Sequence, residues 1–198
     1  LGLCYQEGSN LAEGEACFHR AIKLDPNSPY AYNNIAQMYV NMAQPALAIK
    51  NADRAIALDD QFSDAHYNRG LAKLQLGDWS GWEGYDANLG VSKVRRERKY
   101  GKVPRWQGEK GKTIIAYGEQ GLGDEISFAS CIPDLMKDNK VIIECEPKLE
   151  GLFRRSFGVE THGTRFQPGI KWPLQHHVDA AVAFGSLPRY LRTKNEDF

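Results

Sequence analysis

Two spacings of apolar positions divide the chain. Through residue 88 apolar and small side chains return at helical intervals. From Lys112 onward short apolar runs alternate with amphipathic stretches: TIIAY (113–117), EISFASCIPDLMKD (125–138), KVIIEC (140–145), PKLEGLFRRSF (147–157) and VDAAVAF (178–184). The second pattern predicts β-α-β-α-β. Crossovers long enough to carry a helix call for a parallel sheet with helices on its faces. Pro133 ends or kinks the first amphipathic stretch, and Pro147 suits the opening turn of the second.

The helical half repeats itself. At an offset of 34, Tyr32 pairs with His66, Asn34 with Asn68, Ile35 with Arg69, Ala36 with Gly70 and Tyr39 with Lys73. In the other direction Leu1-Gly2 falls under Ile35-Ala36, Tyr5 under Tyr39, and Ala21-Ile22 under Ala55-Ile56. The pattern resembles the tetratricopeptide repeat, a helix–turn–helix unit of about 34 residues. Ala31–Met42 and Pro45–Leu58 are the expected helices of the complete unit, with most of the opening helix of the unit before it missing and a third unit starting at Ser63. About two and a half units approach the roughly three needed for a continuous core. Trp79, Trp82 and Tyr85 are therefore read either as core of the last helix or as a junction with the segment after it.

Asn34 and Asn68 stand one period apart on first helices. Their amides would form a ladder for an extended peptide backbone, so a protein or peptide is expected on the concave face. The O-linked N-acetylglucosamine transferases use asparagines at equivalent positions, and the resemblance implies the same use here.

Composition excludes several classes. The hydrophobic fraction of 42% is that of a globular protein, and 25 basic against 25 acidic residues give no long-range field for nucleic acid or membrane. Cys4, Cys17, Cys131 and Cys145 lack metal or disulfide-framework spacing. No apolar run reaches the roughly 18 residues of a membrane span, and no signal peptide is visible. A cytoplasmic protein without a transmembrane segment, nucleic-acid partner or metal site is expected. His176, His177 and Asp179 are read as the entry to a strand, and His162 as a loop residue.

Between the halves, VSKVRRERKYGKVPRW (91–106) carries seven basic residues against Glu97. It reads as a solvated linker or as an anion-facing surface. The expected division is 1–88 repeats, 89–111 basic linker, 112–198 partial Rossmann-like lobe.

The string GEQGLGDE (118–125) follows the first strand, where open α/β sheets collect ligands. Gly118, Gly121 and Gly123 permit positive φ and close approach of a ligand. The spacing matches neither a dinucleotide fingerprint nor a P-loop. Asp124 at the helix mouth reads as a cap or as a general base for a hydroxyl acceptor.

PRWQGEKGKTIIAYGEQGLGDEISFASCIPDL (104–135), VIIECEPKLEGLFRRSFGVE (141–160) and VDAAVAFGSLPRYL (178–191) resemble a bacterial family. In it, tetratricopeptide repeats precede a glycosyltransferase-like domain related to the lipopolysaccharide heptosyltransferases. The matching elements are Trp106-Gln107-Gly108, Glu119 to Asp124, and Ser186-Leu187-Pro188. The resemblance implies the N-terminal lobe of a two-lobed glycosyltransferase, with Asp124 as catalytic base and Glu119, Gln120, Gly121 and Gly123 binding substrate. It implies a nucleotide sugar as donor substrate rather than a bound cofactor, and a glycan or protein acceptor. A second lobe is expected beyond Phe198, so the chain reads as a fragment, inactive alone. The competing classes are a glycosyltransferase portion, a repeat-based interaction scaffold without catalysis, and a nucleotide-binding regulatory domain.

Overall fold

A computed structural model of the chain describes residues 11–91 and 93–198, which fall into two compact units, Leu1–Asn88 and Leu89–Phe198. The repeat readings on Leu1, Gly2 and Tyr5, and the reading on Cys4, lie outside the described residues.

The first unit is helical: α1 Leu11–Leu24, α2 Pro29–Asn41, α3 Pro45–Leu58, α4 Ser63–Gln75 and α5 Gly81–Asp86. Both α2 and α3 open with proline, whose missing N–H costs nothing in a first turn. Ala48, Ala52 and Ala55 line one face of α3 and are fully buried. Their small side chains let α2 approach and seat Ile35, Met38 and Tyr39 against Phe18 and Ala72. The turns repeat with the sequence: Ala43 and Gly77, one period apart, both end their helices with positive φ, 52° and 75°. Gly77 adopts that conformation freely, and Ala43 does so at a steric cost of about 1–2 kcal/mol.

The second unit is a four-stranded parallel sheet, order β3-β2-β1-β4, with β1 Thr113–Tyr117, β2 Lys140–Glu144, β3 Thr161–His162 and β4 Ala180–Ala183. In register, Tyr117 stands between Glu144 and Ala183. α6 Leu122–Phe128, α7 Ile132–Asp138 and α8 Glu150–Phe157 cover the face bearing Ile114, Ala116 and Ile143. A last short helix, α9, runs Pro188–Leu191.

Helices on both faces were the expectation; they cover one. Right-handed crossovers stepping one way from β1 to β3 place their helices on a single side, and only the return from β3 to β4 passes over the other. That return is irregular. Its Ile170, Trp172 and Val178 join Leu89, Tyr100 and Val103 over Ile115, Tyr117 and Ile142.

The basic segment is therefore not a solvated linker. Arg95 is fully buried, Tyr100 and Trp106 nearly so. Trp106 N–H donates to the Ala181 carbonyl at 2.9 Å and Ala181 N–H to the Pro104 carbonyl at 2.9 Å, covering the outer edge of β4. A run of cations hides its apolar members, because Leu89, Tyr100, Val103 and Trp106 are too widely spaced to read as an element.

Candidate functional site

In this strand order the direction of crossover reverses between β1 and β4, and open α/β sheets bind ligands at that point. Here the opening is filled by the chain itself. Glu119, the second residue past β1, is 1% exposed. Its Oε1 accepts from Arg95 Nη2 at 3.0 Å, Arg95 Nε at 3.2 Å, Gln120 Nε2 at 2.9 Å and the Gly185 N–H at 3.2 Å. Arg95 Nη2 also reaches Ser186 Oγ at 3.2 Å. A Cβ on Gly185 would fall 2.6 Å from Glu119 Oε1, so glycine lets the end of β4 close on this pair. Glu119 and Gln120, expected to hold substrate, are both spent on buried contacts.

One residue into the next helix the contrast is sharp. Asp124 is exposed, and its Oδ2 accepts the Gly121 N–H at 3.1 Å, capping α6. Glu125 beside it is 1% exposed. Its Oε2 accepts the Glu146 N–H at 2.9 Å, and its Oε1 lies 2.5 Å from Arg165 Nη1. Burial outweighs both partners and pushes the Glu125 carboxyl up to about 7. Arg165 is shared: Nη2 pairs with Glu146 Oε2 at 2.5 Å, and Nη1 donates to the Gln120 carbonyl.

The three glycines of the loop do not do what their flexibility suggests. None has positive φ. Gly118 is needed for close approach, but of Glu125: a Cβ there would sit 2.2 Å from its carboxyl carbon. Gly123 faces open space.

At the end of β2 the buried Glu144 accepts from Arg98 Nη2 at 3.2 Å, Thr164 Oγ1 at 2.7 Å and the Tyr100 hydroxyl. Burial, then the Glu144 charge, drive the Tyr100 pKa far above the usual phenol range. Four glutamates and Arg95, Arg98 and Arg165 thus interlock at the carboxyl ends of the strands. Composition could not show this, since the arginines lie far from their partners in sequence.

Among the described residues one group of side chains is close enough to share a metal ion: Glu160, His162 and His176. No described helix is long and apolar enough to cross a membrane.

In the helical unit, Asn68 is buried and its Nδ2 donates to Asn33 Oδ1 at 2.9 Å. Gln75 Nε2 donates to the Val40 carbonyl, also at 2.9 Å and also across 35 residues. These bonds join α2 to α4, so Asn68 serves the stacking of neighbouring repeats. Asn34 is half-buried in the middle of α2, and its side chain makes no hydrogen bond among the described residues. It shares one face of α2 with Tyr30, Gln37 and Asn41, all exposed.

Residues 17–50 match the family model described as tetratricopeptide repeat. Protein FlbA of Caulobacter vibrioides is 24% identical over 201 residues, covering 79% of this chain and 34% of that protein. A FAM10 family protein of Arabidopsis thaliana is 36% identical over 75 residues, covering 35% of this chain and 17% of that one. The chain thus spans about a third or less of the length of these curated relatives. Among solved structures, the first TPR of Spaghetti (RPAP3) bound to HSP90 peptide SRMEEVD is 24% identical. That match covers 46% of this chain and 73% of that chain, with a TM-score of 0.43. A mutant O-GlcNAc transferase of Thermobaculum terrenum is 13% identical, covering 87% of this chain and 40% of that chain, with a TM-score of 0.38.

Proposed function

We propose that the protein is a repeat-based interaction module whose helical unit binds an extended peptide segment of a partner. The observation that carries this is the face of α2: Tyr30, Asn34, Gln37 and Asn41 recur at helical spacing, uncharged and accessible. Carboxamides both donate and accept, so such a stripe suits peptide backbone, and Tyr30 adds an apolar anchor. The repeat match over residues 17–50 supports the same reading. Asn68 holds the stripe in place rather than touching the partner.

The test is a peptide selected from a random display library on the whole chain. Asn34→Ala should weaken it by about 2–13-fold, the worth of one net hydrogen bond of about 0.5–1.5 kcal/mol, with helix content unchanged. Undiminished binding by Asn34→Ala and Gln37→Ala alike would remove α2 as the contact surface.

A second reading has its own observation. The strand order and the exposed Asp124 at the carboxyl end of β1 suit the acceptor lobe of a heptosyltransferase-like glycosyltransferase in a longer protein. In it residues 112–198 form part of that lobe, and Asp124 deprotonates the attacking hydroxyl through the oxygen not used for capping. Glu119, Gln120, Gly121 and Gly123 shape the loop that carries it. Asp124→Asn keeps the cap contact. In the longer protein, with a panel of nucleotide sugars, it should reduce turnover by about 10²–10⁴-fold; full turnover would eliminate the base.

A further inference from the structure

We propose that Glu160, His162 and His176 form a site for one divalent transition-metal ion of the zinc type. Glu160 Oε1 lies 2.8 Å from His162 Nε2 and 3.0 Å from His176 Nε2, and the three ligand atoms fall within 4.8 Å of one another. An ion with bonds of about 2.0–2.1 Å in tetrahedral array holds its ligand atoms about 3.3–3.5 Å apart. The two Glu160 contacts must open by about half an ångström, and Glu160, with its side chain 42% exposed, has the freedom to do so.

The imidazoles are held from behind. His162 ends β3, and its carbonyl accepts the Cys145 N–H at 3.0 Å. Its ring stacks on Trp172 with centroids 4.0 Å apart and planes within 8°. The same indole meets His176 edge-on at 6.4 Å. Trp172 Nε1 donates to Thr164 Oγ1 at 3.0 Å, and Thr164 Oγ1 donates to the buried Glu144 at 2.7 Å. One indole, itself hydrogen-bonded toward the sheet, thus packs against both rings and limits their rotation.

Ligand chemistry sets the class of ion. Two imidazoles and a carboxylate suit zinc, cobalt, nickel or copper; magnesium and calcium prefer all-oxygen shells. Three protein ligands leave a fourth position for water, and the exposed glutamate beside the two partly buried histidines puts it within reach of solvent. His177 stands outside the cluster, paired instead with Asp179 at 3.2 Å.

Calorimetric titration of the whole chain with zinc chloride should show one equivalent bound, with magnesium giving no heat of binding. Cobalt(II) should develop the visible absorption of a four-coordinate ion. His162→Gln, His176→Gln and Glu160→Gln should each weaken zinc by more than the roughly 10–100-fold that loss of an outer partner costs. His177→Ala should bind as the parent does. Glu160→Gln lies at the surface and keeps the fold, so its result stands even where a histidine variant fails to fold. The proposal is overturned if the parent binds no zinc at stoichiometric level, or if Glu160→Gln binds unchanged. A strong thiolate-to-cobalt charge-transfer band would also overturn it, by assigning the ion to cysteine.

Discussion

Glu125 and its neighbour Asp124 divide two roles that adjacent carboxylates in a glycine-rich corner leave open. The exposed one caps the helix and the buried one packs under Gly118. Glu125 Oε1 is within ion-pair range of Arg165 yet makes no hydrogen bond, and Arg165 divides its charge with Glu146. Burial therefore prevails over Arg165 and raises the carboxyl to about 7 in the folded chain, against 4.5 for an unburied group. Between those values the folded chain keeps a proton that the unfolded chain releases. The associated stability is complete below pH 4.5 and is lost as pH rises through 7, amounting to about 3 kcal/mol. Urea unfolding followed by tryptophan fluorescence should show the parent losing stability relative to Glu125→Gln from pH 5 to pH 8. A constant difference between the two would refute the assignment. Nothing local marks Glu125 over Asp124 in the sequence, because its fate depends on Arg165, forty residues on.

At the scale of elements the helical half was largely readable. The 34-residue offset places α2 and α3 within two residues of their ends, because small residues and prolines recur where neighbouring helices must touch and start. The Ala43 and Gly77 turns share that period even though one of them is not glycine. What the offset could not show is how closely α4 and α5 approach. A Cβ on Gly70 would lie 2.5 Å from Tyr85 N and 2.6 Å from the Gly81 carbonyl oxygen, both backbone atoms that cannot swing aside. Gly81 and Gly84 meet α4 in the same way, with Gly70 O and His66 O within 2.5 Å of their own added Cβ. Gly70→Ala therefore forces the two helices apart. The overpacking penalty of about 1–3 kcal/mol exceeds the gain of up to about 1 kcal/mol in helix propensity. Thermal unfolding should register a net loss; a variant as stable as the parent would show that α5 slides to accommodate the methyl. In the α/β half three of the four strands were legible as apolar runs; β3 was not, because its two residues, Thr161 and the His162 expected in a loop, are too few and too polar to make one, and the cover of the second sheet face was not, since irregular segments carry no period.

For the molecule as a whole, the decisive boundary is where the second unit begins. Apolar patterning starts the sheet lobe at Lys112, but Leu89, Arg95, Tyr100 and Trp106 belong to its interior. Removing them strips the face of β1 that carries Ile115 and Tyr117 and frees the edge of β4 at Ala181. Each large side chain so lost contributes about 1.5–3 kcal/mol of burial. Glu119, left charged in its pocket without Arg95, costs about 3–5 kcal/mol more. The sum is comparable to the entire stability of a domain, about 5–15 kcal/mol. A piece spanning 89–198 should therefore unfold cooperatively in urea and show the near-ultraviolet circular dichroism of packed Trp106 and Trp172. A piece spanning 112–198 should lose the cooperative transition and the Trp172 signal and expose apolar surface to dye. If the shorter piece folded as sharply as the longer, the buried Arg95–Glu119 pair and the aromatic cover would be decoration on a self-sufficient sheet, and the switch point they fill would be free to open for a ligand.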